Sequence, residues 1–261
     1  MLIHDVKRIA VINQEKRREI ICEILDEIGV KYTLQQSTMG YHKPINIIVS
    51  YGVDSPDLPR YVLGAHYDSV TGSTGANDNA SGVSVLLAII RVFQVNLPSI
   101  AIDIVFFDLE EGPMAGSRAY LKHVSPEKIQ GMINADLCGY GDNIIYALGR
   151  GSIGSTLASA IKTISDAYPN IVETPLLPPA DDLIFQGEHI PAVCICAIPI
   201  TDIPLMEITA PILHQHGVPD SDKIPTIFKT MHNGSTDSIA SVSEESLQLV
   251  KKIVIELIKS L

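Results

Sequence analysis

The chain predicts an α/β fold: a single-domain α/β/α sandwich with a mostly parallel central sheet covered by helices on both faces. Two patterns carry that expectation. Short apolar runs alternate with helical patterns of roughly 10–20 residues. The length of 261 residues, 46% apolar and 19% charged, suits one large domain with a sizeable core. Trp is absent and aromatics are few, so that core is aliphatic.

Gln14–Ile28 places Ile20, Ile21, Ile24, Leu25 and Ile28 on one face, and Gly29 ends the helix. Residues 45–49 and 61–65 read as strands. Residues 81–95 form a long apolar helix, hence buried, and residues 100–107 a central strand. A short helix over 114–123 follows, with Gly116 and Ala119 on a close-packing face. Residues 132–137 and 144–148 read as strands. A helix over 153–168 stops at Pro169, and residues 192–198 form another buried strand. Residues 243–261 close the chain as an amphipathic helix that Ser243 can cap. Residues 199–230 are rich in proline and weakly periodic. They read as a long loop inserted beside the ligand-binding edge of the single domain 1–261.

The net charge of −11 argues against a nucleic-acid partner. The most apolar region, 83–107, is broken by Arg91, Asn96, Pro98 and Asp103, so no membrane span or membrane partner is expected. The first residues carry no secretory signal, and a cytoplasmic protein is expected. Cys22, Cys138, Cys194 and Cys196 read as reduced thiols, with Cys194 and Cys196 expected on opposite faces of their strand.

The chemistry concentrates at strand ends. Open α/β sheets bind ligands outside the carboxyl ends of their strands. His66 and Asp68 end one run, Glu110 and Glu111 a second, and Asp136 a third. Asp78 lies in Asn77-Asp78-Asn79-Ala80-Ser81-Gly82, where small residues allow close backbone approach. Histidine and carboxylates without cysteine suit borderline or hard divalent metals such as zinc. A two-metal site needs a bridging carboxylate, and Asp78 fits that place. Of the adjacent glutamates, one can bind metal while the other moves a proton. Asp68 can accept the other ring N–H of His66 and fix its tautomer.

These residues resemble the di-zinc aminopeptidases of metallopeptidase family 28, which include bacterial leucyl aminopeptidases and are related to glutaminyl cyclases. The matching segments are Gly-Ala-His66-Tyr-Asp68-Ser, Gly-Ala-Asn-Asp78-Asn-Ala-Ser-Gly, Phe-Phe-Asp-Leu-Glu110-Glu111-Gly, Asn-Ala-Asp136-Leu-Cys-Gly-Tyr-Gly and Met-His232-Asn. Their order and spacing match over roughly residues 60–260. The resemblance implies a zinc exopeptidase-like fold and two Zn²⁺ ions, with Co²⁺ or Mn²⁺ as substitutes. It implies that His66 and Asp136 hold one ion, Glu111 and His232 the other, and Asp78 both. Glu110 would be the general base acting on a metal-activated water, and Asp68 would orient His66. The substrate would be a peptide or small aminoacyl compound cleaved at its N-terminal residue.

Three departures bear on that substrate. The family's Ser-Asp-His before a Phe is Ala180-Asp181-Asp182 here, with Asp181 kept beside the substrate pocket. The segment from His232 to Asp237 is one residue longer than the family's. Residues 199–230 are long, and Leu205, Met206 and Ile208 are expected to line the pocket for the first side chain. A one-zinc glutaminyl cyclase usually has Trp before the last histidine. Met231 stands there instead, which disfavours that alternative. A catalytically silent binding module would lose the base or a ligand, and both Glu110 and Glu111 are intact. His214, His216 and His189 read as surface residues. Gly149-Arg-Gly-Ser-Ile-Gly154 only mimics a nucleotide loop.

Overall fold

The structure, a computed structural model, describes residues 1–52, 59–232 and 236–261. The helices are α1 (Leu2–Ile9), α2 (Gln14–Ile28), α3 (Ser81–Phe93), α4 (Ala115–His123), α5 (Thr156–Ala167), α6 (Asp182–Gly187), α7 (Ile203–His214) and α8 (Glu244–Lys259). The strands are β1 (Thr33–Gln36), β2 (Ile45–Tyr51), β3 (Arg60–His66), β4 (Ile102–Phe107), β5 (Ile129–Ala135), β6 (Asn143–Leu148), β7 (Ile171–Glu173) and β8 (Ala192–Ile198). They form one sheet in the order β1-β2-β4-β3-β5-β8-β6-β7.

The sheet is mixed. Its four central strands, β4-β3-β5-β8, are parallel to their neighbours. The flanks turn antiparallel where β2 meets β4 and β6 meets β8. Every residue of β3, β4 and β8 is buried, because helices cover both faces of the centre. On one face α1, α3, α5 and α8 enclose a core of Ile and Leu, including Ile89, Ile104, Ile133, Ile195 and Leu257. On the other, Phe107, Tyr120 and Phe185 pack tilted or edge-on across Met132 and Val62. No helix among the described residues is long and apolar enough to cross a membrane.

Local chemistry explains the element ends. The Asn13 side chain accepts the Lys16 N–H at the start of α2, and Gly29, at φ +78°, ends it. Ser243 caps α8 by accepting the Ser246 N–H. Ser155 caps α5 in the same way, so that helix starts at Thr156 rather than at Ile153.

Several expectations need correction. Residues 199–230 are not one loop, because they contain α7. That helix is apolar around much of its girth and carries Pro211 inside, so neither a polar stripe nor an unbroken pattern marks it. Met206 is fully buried in a third cluster with Leu137, Ile145 and Ala210. Ile208 is 48% exposed and faces away from that cluster. Cys194 and Cys196 share a face and a cluster, as residues two apart on a strand must. His189 and His216 are exposed, but His214 is half-buried, with its Nε2 2.7 Å from the Leu177 carbonyl.

Candidate metal centre

The parallel strands β3, β4 and β5 end side by side, and each delivers part of the site. His66 is the last residue of β3, Glu110 and Glu111 lie in the turn after β4, and Asp136 follows β5. Asp78 comes from the kinked turn 76–80 that leads into α3. His232 follows a short helical turn, Thr226–Thr230.

The turn carrying Asp78 is tied down on both sides. Asn79 Nδ2 donates to the Ala135 carbonyl, and its Oδ1 accepts the Gly82 N–H. A Cβ at Gly82 would collide with that carbonyl and with Asn79, so only glycine lets α3 start this close to β5. Asn77 donates to Thr230 and accepts from the Gly139 N–H. Asp237 accepts the Asn77 N–H and the Ser73 hydroxyl. The Asp78 turn and the segment after His232 are therefore one hydrogen-bonded unit. The three residues between His232 and Thr236 lie outside the described residues, so their extra length is not placed.

The donor atoms converge. His66 Nε2 lies 3.2 Å from Asp78 Oδ1 and 3.6 Å from Asp136 Oδ1. His232 Nε2 lies 3.2 Å from Glu111 Oε2 and 3.9 Å from Asp78 Oδ2. Donor atoms of His66, Asp78 and Asp136 all lie within 4.8 Å of one another, and so do those of Asp78, Glu111 and His232. Asp78 belongs to both triads and presents a different oxygen to each histidine.

This donor set fits divalent metal. Asp136 Oδ1 and Glu111 Oε1 are buried without a hydrogen-bond partner. Orphaned buried acceptors are costly unless a cation meets them. Two histidine nitrogens and three carboxylates are a zinc-type set in borderline hardness. The backbone beside three of these residues adopts the left-handed region that non-glycine residues rarely occupy. Leu109 precedes Glu110 at φ +56°, Leu137 follows Asp136 at +53°, and His232 itself sits at +52°.

Asp68 sits beside His66 but makes its hydrogen bonds to the turn after β4. Its Oδ1 lies 3.4 Å from His66 Nδ1 but accepts the Glu110 N–H at 3.0 Å, while Oδ2 accepts the Glu111 N–H at 3.1 Å. One buried carboxylate thus fixes the turn holding both glutamates.

Among the protein's own charges, burial pushes the Glu110 carboxyl well above the usual range. His66 opposes that, and Asp181, Asp136 and Asp68 add to it. Burial alone would lower His66, but the carboxylates of Glu110, Asp136, Asp68 and Asp78 hold it well above its ordinary value. Burial works against an ionised Asp78, and the two histidines overcome it and keep it below the ordinary value.

Two residues matter more than their sequence context suggests. Arg17 of α2 is fully buried, donates to the Thr74 and Gly75 carbonyls, and sits within reach of the charges of Asp68, Asp78 and Asp237. It supplies a fixed positive charge behind an acidic site, and its helical pattern gave no sign of this. Asp181 is fully buried, meets no hydrogen-bond partner at either oxygen, and is pushed by burial up to about 7.

The cavity over these residues has about 30 Å³ and is walled by Leu137, Leu177, Pro178, Pro179, Cys196 and Met231. Leu205, Met206 and Ile208 are not among its lining residues, which corrects the expected pocket wall. The wall comes instead from the segment before α6, because α7 turns its buried side into the third cluster.

Next to Asp181, Asp182 is also buried and held at about 7, chiefly by burial. An unfolded aspartate titrates near ~3.9. Between about 4 and about 7 the folded chain then binds more protons than the unfolded chain, so stability falls as pH rises through that window. Asp182→Asn should remove that part of the slope. Urea unfolding in chelator at pH 5 and pH 8 should show the variant gaining on wild type at the higher pH. Parallel changes in the two proteins would contradict the assignment.

Comparison with known proteins gives the family and the fold. Residues 46–258 match Peptidase family M28. The chain belongs to that peptidase family. A vacuolar membrane protease of Meyerozyma guilliermondii is 34% identical over 116 residues, 43% of this chain and 12% of the relative. The chain thus spans only a small part of that protein. Two solved structures share the fold along nearly their whole length. A Zn-dependent exopeptidase from Parabacteroides distasonis superposes with a TM-score of 0.71 at 21% identity, over 99% of this chain and 96% of that one. A glutaminyl cyclase from Porphyromonas gingivalis gives 0.69 at 22% identity, over 98% and 96%.

Proposed function

We propose that the chain is an aminopeptidase that holds two zinc ions and removes the N-terminal residue of peptides. The observation that carries this reading is Asp78, shared by two donor triads beside the free carboxyl of Glu110. When bound, the ions would polarise the scissile carbonyl and lower the pKa of a water at the site.

The chain's own residues supply the rest. Glu110, with its affinity for protons raised by burial, takes a proton and returns it to the leaving amine. Asp68 keeps Glu110 in place through its backbone N–H. The surplus of carboxylates attracts the substrate's α-ammonium, which favours a free N-terminus over an internal bond. Leu177, Pro178, Pro179 and Met231 limit water at the cavity.

The test is a panel of aminoacyl nitroanilides assayed with chelator and with re-added zinc. Hydrolysis should vanish in chelator and return with zinc, and N-acetylated substrates should stay intact. Cleavage of acetylated substrates, or indifference to chelator, would refute the reading. Release of ammonia from a glutaminyl peptide without loss of the residue would point to cyclisation instead.

A further inference from the structure

We propose that a second chamber beside the metal centre receives the side chain of the substrate's first residue, and that Asp182 selects a cationic end there, as in lysine or arginine. This rests on the aminopeptidase reading above. The metal cavity, at about 30 Å³, is the tighter of two neighbouring spaces. The adjoining chamber has about 410 Å³. Leu177, Pro178 and Cys194 border both spaces, so the two lie side by side with these three residues between them.

The chamber's lining is mostly apolar, with Arg150, Asp182, Gln186 and His214 as its polar side chains. An aliphatic stem can lie on Leu177 and Pro178 while its charged end reaches a polar group. Asp182 lines the chamber and is only 6% exposed. Gln186 Nε2 donates to its Oδ2 at 2.6 Å, and among the described residues no other side-chain donor meets the carboxylate. The second oxygen remains available as an acceptor. The other charged or titratable lining groups compete poorly. Arg150 is exposed and screened by water, and His214 is engaged by the Leu177 carbonyl. A buried carboxylate in a mostly apolar lining matches an ammonium or guanidinium and disfavours an acidic side chain. The feature lies where the chain carries Asp182 in place of the family's histidine.

The test compares lysine hydroxamate with norleucine hydroxamate, which has a closely similar stem but no charged end, by calorimetry on the zinc-loaded protein at pH 8, where the Asp182 carboxyl is ionised. The lysine compound should bind at least about tenfold more tightly, the scale of a hydrogen bond to a charged group. Asp182→Asn should collapse that ratio towards one. Equal binding by wild type would overturn the selection of a cationic end and leave the aminopeptidase reading standing. A lysine preference that survives in folded Asp182→Asn would overturn the role of Asp182. Failure of both hydroxamates to bind would remove the aminopeptidase reading and the chamber with it. If the variant does not fold, the wild-type ratio measured at pH 5.5 and pH 8 replaces it: the lysine preference should grow at the higher pH as Asp182 loses its proton, and an unchanged ratio would overturn its role.

Discussion

Glu110→Gln should lower kcat by at least ~10²-fold, and up to ~10⁴-fold, while the protein keeps its metal. Glu110 belongs to neither donor triad, so its replacement removes no ligand. Its backbone N–H still reaches Asp68, so the turn that carries Glu111 should hold its shape. Glutamine has nearly the same volume but cannot take a proton, so the loss isolates that one role. Steady-state assays beside metal analysis of the same preparation provide the check. A variant with near wild-type kcat would mean that another group is the base. Asp181 would be the first candidate, since it faces Glu110 closely enough to raise its proton affinity.

Asp78→Ala should abolish turnover by a different route, through loss of metal. Its two oxygens serve separate triads, and its Oδ2 also accepts the His232 N–H. Alanine therefore removes a donor from both triads and releases the backbone of His232. The fold should survive, because Asn77, Asn79 and Asp237 still tie the turn to its surroundings. The expected result is a folded protein with little bound zinc and no measurable hydrolysis. Full zinc content in that variant would show that Asp78 is not shared in the way the geometry suggests.

Much of the frame was legible because strand ends are local features. Apolar runs mark β3, β4 and β5, and the residues that follow them must meet at one edge of a parallel sheet. Residues 66, 110, 111 and 136 could thus be grouped before any contact was visible, with 78 in the loop after the first run, whereas 232 follows no strand and came only from the resemblance to the peptidase family. Shorter or featureless pieces escaped. β1 and β7 have four and three residues, too few for a period to register. α7 lacked a polar stripe and carried an internal proline, so its apolar residues were assigned to a pocket they do not line. Arg17 is far from the site in sequence and sits in an ordinary amphipathic helix, where arginine normally faces water. Only the long-range packing of α2 against the turn at Gly75 brings it beneath the carboxylates. The strap from Asp237 to Asn77 spans 160 residues and has no local signature beyond the aspartate itself.

The most direct measurement of the central claim is the number of zinc ions bound per chain. Purified protein, stripped with chelator and titrated with zinc, should saturate at about two ions, since the two donor triads share Asp78. Anomalous diffraction from the loaded crystal should place both peaks against that carboxylate, one towards His66 and one towards His232. Saturation at a single ion, with Asp136 or Glu111 left unligated, would contradict the account.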